Sequence, residues 1–373
     1  MNAQNIDNKP KVQKETKNKI RVEFDRTPLK ERLKKKLLSL FFLKKVLWTI
    51  FRFAFLLGVT FIILKPFFEK ITRSFMKPED FVDVTVRLVP KSFTLDIYKA
   101  IWTEMGYLGA VGKTFFISAS LALIQTFVCC FIAYGLAKFK FKGNKLIFGA
   151  VLFSLIVPHQ VLRASLFYTF RYFDIFGITK LLGGGTIKVL GLFDFTSPIS
   201  LFPATAKMFT SNGMNLTNTY WPLVVLSLCG LAFKNGLYVF MLRQFFKGVP
   251  DELEESAYID GSGIVRTFLT IILPISVPMM ITVFLFAFSW QWTDKFYMDT
   301  FFVRRGTSGM LADIISADTP VALMLDHDAG KNEYYSAIRS TSGLMVILPL
   351  VIVYCFGQKY LVQGIERSGL TAD

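Results

Sequence analysis

Runs of about twenty mostly apolar residues constrain this chain more than anything else in it, because a bilayer core about 30 Å thick is crossed by about 20 residues rising about 1.5 Å each. Six windows reach that length: Val46–Phe67, Thr114–Ala137, Leu146–Phe167, Trp221–Phe246, Ile272–Trp290 and Gly343–Tyr360. Lipid offers no hydrogen bonds, so a spanning segment must satisfy its own backbone groups, which for separate runs means helices. The expected fold class is all-α, a polytopic membrane protein with about six transmembrane helices.

Composition agrees. With 53% hydrophobic residues and 40 Phe in 373 residues, the chain is too apolar for a soluble globular domain. A net charge of +16 would suit nucleic acid, but the cations do not form a binding face. They gather in the amino-terminal tail (Lys30, Arg32, Lys34, Lys35, Lys36, Lys44, Lys45), in "KFKFKGNK" and around Arg243, Lys247 and Arg266. With six spans these three regions share one side, which the positive-inside rule makes the cytoplasm, with both termini there. The connections on the other side, after the first, third and fifth spans, are about 45–50 residues long and also hold some Lys and Arg. The first apolar run comes too late and is too long for a cleaved signal peptide and reads as a retained span. The tail from Met1 to about Asn18 reads as disordered. Cys129, Cys130, Cys229 and Cys355 lie within apolar runs without metal-ligand spacing and read as small hydrophobes.

Three short motifs invite other readings. "GAVGKT" (109–114) lacks the glycine a phosphate-binding loop needs, since Tyr107 stands there and Gly106 is out of register. "DHDAGKNE" (326–333) has its glycine at the wrong offset for a calcium loop and no closing acid. "NLT" at Asn215 fits only the glycosylation pattern. The two histidines, His159 and His327, complete no catalytic or metal constellation, so no enzyme site and no bound cofactor are expected.

"PDELEESAYIDGSGIVRTFLTIILP" (250–274) is the polar exception between two apolar runs. Pro250 stops the preceding element, Asp251 is placed to cap a helix, and Glu252, Glu254 and Glu255 suit its positive end. Asp260-Gly261 supplies a turn, and Ser262 is placed to cap a second helix with Val265, Phe268, Leu269 and Ile272 on one face. Pro274 and Pro278 are expected to bend the span, with Ser276 satisfying a freed backbone group. On these grounds alone the loop is either a mechanical link to a soluble partner or an ordinary surface connection.

The order Glu255-Ser256-Ala257-x-x-Asp260-Gly261-Ser262, then Phe268-x-x-Ile271-x-Leu273-Pro274 and Pro278, resembles the EAA loop of permease subunits of bacterial ABC importers. "PKSFTLDIYKAIW", "AYGLAKFKFKGNK", "MLRQFFKGVPDELEE" and "QKYLVQGI" are similar to the MalG-like carbohydrate branch. The resemblance implies a type I importer (MetI-like) permease fold in a bacterial cell membrane. It also implies a second homologous permease, two ABC ATPase subunits using ATP and Mg, and an extracellular solute-binding protein delivering sugars or oligosaccharides. Glu254, Glu255, Ser256, Ala257, Asp260, Gly261 and Ser262 would then form the ATPase-coupling helix and its turn. The implied organisation is a basic tail (1–45), a first span (46–68), an extracytoplasmic connection (69–107), a permease core (108–364) with the coupling loop (250–274), and a short tail (365–373). Import of a different small solute and ion-coupled transport are the alternatives. The segment from Gly177 to Tyr220 is longer than the family pattern, and Thr293 replaces the usual asparagine of "WQWTDKF".

Polar side chains at membrane depth face a bundle interior or a water-filled path. Gln125, His159, Gln160, Arg163, Lys234, Asn235, Trp290 and Trp292 are the candidates for a solute pathway, combining hydrogen-bonding groups with stacking faces. Arg163 and Lys234 are cations, which a neutral solute would not require, so an acidic oligosaccharide is a possible cargo.

Overall fold

The apolar runs form helices, as their need for internal hydrogen bonds requires. The computed structural model describes side chains at 44–174, 213–303, 308–315, 319–326 and 329–361, and backbone alone at 13–15, 19–21, 40–43, 186–189, 193–196, 209–210, 316 and 362–369. The chain divides into two compact units, residues 1–68 and 69–373.

In the first unit, β1 (Gln13–Glu15) and β2 (Lys19–Arg21) pair antiparallel, a hairpin in a tail expected to be disordered. Helix α1 (Leu40–Arg73) follows, and every side chain from 44 to 68 is exposed, leaving lipid as the solvent for its Phe, Leu and Ile residues.

The second unit continues with α2 (Asp96–Glu104) and α3 (Tyr107–Lys138). Ala110, Thr114, Ser118, Ala122, Cys129 and Ala133 form a buried stripe of small residues on α3, which lets neighbouring helices approach closely. Phe116, Leu123, Phe127 and Phe131 face outward and are exposed. The chain then runs through α4 (Asn144–Ile156), a 3₁₀ turn (His159–Leu162) and α5 (Arg163–Arg171). Helix α6 (Trp221–Leu228) and α7 (Asn235–Gly248) precede α8 (Glu252–Ile259) and α9 (Ile264–Thr267). A π-turn (Phe268–Ile272) leads into α10 (Leu273–Trp292), followed by α11 (Phe296–Phe301), α12 (Leu311–Ser316) and α13 (Lys331–Gly369). Tyr238, Leu242 and Phe246 of α7 and Met279 and Phe288 of α10 lie in the main core, where α3, α7, α10 and α13 meet.

Among the described residues, four helices are continuous and apolar enough to cross a membrane: Lys44–Arg73, Tyr107–Lys138, Ile264–Trp292 and Lys331–Leu361. The other two expected spans are interrupted. Residues 144–171 bend by 93° between α4 and α5. Pro158 has no N–H and holds Val157 extended (ψ 119°), so the helix cannot pass through. The expected Trp221–Phe246 span splits into α6 and α7, with Gly230 (φ +70°) and Lys234 (φ +67°) in left-handed conformations between them. At about 12 and 21 Å, neither piece alone crosses a 30 Å core.

The long segment after α5 contributes the antiparallel pair β3 (Thr186–Val189) and β4 (Phe193–Thr196), and β5 (Phe209–Thr210) with β6 (Gly213–Met214). Phe173 bridges to Met214, tying the end of α5 to the start of α6. The rest of 177–212 and His327 lie outside the described residues.

Candidate functional site

The loop at 250–274 is a short helix closed by a glycine turn. The Gly261 N–H bonds to Tyr258 O at 3.0 Å and the Ser262 N–H to Ala257 O at 2.9 Å, the paired bonds of a Schellman motif. Gly261, at φ +80°, is the residue that reverses the chain. The cap of α9 falls at Gly263, so Ser262 stands one residue too early to cap that helix. Asp251 stands at the N-cap of α8, but its side chain makes no capping bond.

Asp251 turns instead to Lys138, at the end of α3. The Lys138 ammonium donates to Val249 O at 2.7 Å and to Asp251 Oδ1 at 2.5 Å, and lies 3.6 Å from Glu254 Oε1. Its hydrogen bond and charge, with Lys140 adding a little, hold the Asp251 carboxyl below the usual carboxylate range. The Tyr134 hydroxyl donates to Glu254 Oε2 at 3.4 Å. Glu254 and Ala257 are buried, so the inner face of α8 is pinned to α3. Glu255, Ser256, Asp260 and Gly261 are exposed, Ser262 is half-buried, and Ile259 stands 86% exposed. Helical spacing puts Glu252, Glu255, Ser256 and Ile259 on one outward face. Lys138 and Tyr134 were not among the sequence candidates; Lys138 was read only as one of the orienting cations.

After the loop, Phe268 and Ile272 are buried while Val265 and Leu269 are exposed, contrary to the single face expected. The Leu273 N–H reaches back to Phe268 O in a π-turn, whose greater width keeps Phe268 and Ile272 close to one face. This widening stands where Pro274 can make no bond of its own, and the helix continues as one 29-residue span rather than bending sharply. Ser276 Oγ bonds to Leu273 O at 2.8 Å, not to a carbonyl that the prolines free.

The interruptions gather residues from separate elements. Lys234 Nζ lies 4.7 Å from the Phe233 ring centre and 4.9 Å from that of Trp290. His159 packs 3.8 Å from Phe233 and 5.4 Å from Phe296, and Phe233 meets Trp290 edge-on at 5.1 Å. His159, Lys234 and Trp290 are therefore brought together, joined by Phe233 and Phe296, which the sequence candidates missed. The only signal for Phe233 was its place beside Lys234.

The remaining candidates go elsewhere. Gln160 and Arg163 line a recess of about 570 Å³ with Asp299 and Thr300, and Arg163 Nη2 donates to Asp299 O at 2.7 Å. Gln125 is buried and bonds through Nε2 to Ser227 Oγ at 3.1 Å. Asn235 is buried with neither amide atom partnered. Trp292 is buried and donates through Nε1 to Val346 O at 2.9 Å, a tie between α10 and α13. Two residues apart on a helix point roughly 200° apart, so Trp290 and Trp292 cannot serve one surface.

The model of a binding-protein-dependent transport system inner membrane component matches residues 125–367, enclosing both regions. The chain belongs to this family. It is a multi-pass membrane permease, and in such systems hydrolysis of ATP belongs to another subunit. The permease is 27% identical to Protein LplC of Bacillus subtilis over 317 residues, covering 83% of this chain and 90% of that protein. It is 24% identical to the polygalacturonan/rhamnogalacturonan transport system permease protein YtcP of the same organism, covering 86% and 97%. Its fold matches a bacterial ABC transporter involved in the import of the acidic polysaccharide alginate, with a TM-score of 0.56, 16% identity and coverage of 85% and 97%.

Proposed function

We propose that this permease forms half of the membrane path of an ATP-driven importer for sugars or oligosaccharides in a bacterial cell membrane. It pairs with a second homologous permease, two ABC ATPase subunits that use ATP and Mg, and an extracellular solute-binding protein. The termini and the 250–274 loop face the cytoplasm, where the basic loops also lie. The sugar reading draws support from relatives that include alpha-glucoside, arabinooligosaccharide and maltodextrin transport permeases.

The observation that carries the coupling role is the two-sidedness of α8. Its inner face is fixed to α3 through Lys138, Asp251 and Glu254, while its outer face presents Glu255 and Ile259 for a partner. A helix held this way transmits displacement to the bundle instead of absorbing it. Closure of the ATPases on ATP would move α8 and switch the path between inward and outward access.

Gly261→Pro and Glu255→Lys test this in the reconstituted transporter. Proline fixes φ near −65° and lacks the N–H that closes the turn, so it cannot replace a glycine at +80°. Both variants are expected to insert and be recovered from the membrane, while solute-stimulated ATP hydrolysis and uptake fall to background. Uptake at the parental rate in both would refute the coupling role.

A further inference from the structure

The Lys234 site carries three unfavourable features. Its ammonium is half-buried against apolar rings, which costs it hydration. Its backbone is left-handed, at φ +67°, which a side chain with a Cβ resists. It also caps the amino terminus of the 14-residue α7, where the helix dipole is positive and repels a cation. Among the described residues no carboxylate stands within ion-pair distance of it. The Phe233 and Trp290 rings offset part of this cost. Next to it, the buried Asn235 amide has unused donor and acceptor capacity.

We infer that Lys234, at the break between α6 and α7, receives a carboxylate of the passing solute, and that this permease carries uronate-containing oligosaccharides. This rests on the sugar-import reading above. An arriving carboxylate accepts a charge-assisted hydrogen bond from Lys234 and gains from the positive end of α7, so the unmatched charge and its place at the helix end, costly without an anion, become favourable with one. Trp290 and Phe296 offer apolar faces for the C–H surfaces of sugar rings, and His159 a further polar edge. A neutral sugar would leave the Lys234 charge unmatched.

The test is uptake by the complete transporter in proteoliposomes, with trigalacturonate, its methyl ester and maltotriose as probes. Esterification removes the charge while keeping the sugar frame. The parent is expected to prefer the free acid over the ester. In Lys234→Met that preference falls about tenfold or more, and Lys234→Arg keeps most of it, which separates charge recognition from misfolding. An unchanged acid-to-ester ratio in Lys234→Met overturns the inference. Uptake of maltotriose without either galacturonate probe overturns it while the sugar reading stands, and uptake of none of the three overturns both.

Discussion

Lys138 and Lys234 are both enclosed lysines, and they are enclosed differently. Lys138, at the end of α3, has a side chain only 7% exposed and is met by a carbonyl and the carboxylates of Asp251 and Glu254. Lys234, at the break between α6 and α7, is met by aromatic rings. Aromatic faces attract a cation without neutralising it, whereas carboxylates neutralise it and fix its position. The first arrangement suits a permanent joint, and the second leaves a charge able to engage a transient anion.

The largest effect is expected at the joint. Lys138→Met leaves Glu254 buried without its cation, and losing one partner of a buried pair costs about 3–5 kcal/mol. Adding Glu254→Gln should recover most of the loss, measured by thermal unfolding of the purified chain in detergent. Simply additive losses would show that Lys138 and Glu254 do not act as a pair. A smaller and opposite effect is expected at Lys234. Lys234→Gly relieves left-handed strain and gives up the ring contacts, for a net gain of about 1 kcal/mol in the same assay. A loss as large as that of Lys138→Met would make Lys234 a structural cation and erase the contrast.

Asp294, just beyond α10, sharpens the comparison with an acid of opposite sign. Burial raises its pKa to about 7, against the lowering effect of the Tyr297 and Phe296 amides, with Asp299 raising it slightly. Its Oδ1 accepts the Tyr297 N–H at 3.3 Å while its Oδ2 is enclosed and unpartnered. The folded state therefore keeps a proton that the unfolded chain releases near pH 4, and stability falls as pH rises from about 4 to about 7. Asp294→Asn keeps the Oδ1 acceptor and should flatten that slope, leaving the variant more stable at pH 8 than the parent. The residue as a whole is only half-buried, so this is the smallest effect, below about 1 kcal/mol. Parallel melting curves for parent and variant from pH 5 to pH 8 would contradict it.

Much of the architecture was legible because lipid imposes a length on each apolar run, and the glycine turn was legible because Asp260-Gly261 permits few conformations. The site was less legible where one residue has several possible partners. Asp251 and Ser262 suit helix caps by type, yet the Asp251 side chain is drawn to the Lys138 ammonium and the cap of α9 falls one residue later, at Gly263. Trp290 and Trp292 look alike in sequence, but helical geometry sends them to different surroundings.

By itself, the sequence determined that most of the chain must be helical in lipid, that a charged loop must leave the membrane at Pro250, and that cations interrupt the apolar runs. These follow from local chemistry: apolar length, the missing N–H of proline and the cost of burying charge. Only the tertiary structure decided that two runs would be interrupted, that Lys138 would anchor α8, and that His159, Phe233, Lys234, Trp290 and Phe296 would meet. Those outcomes depend on residues far apart in the chain competing for the same space, which no single stretch specifies.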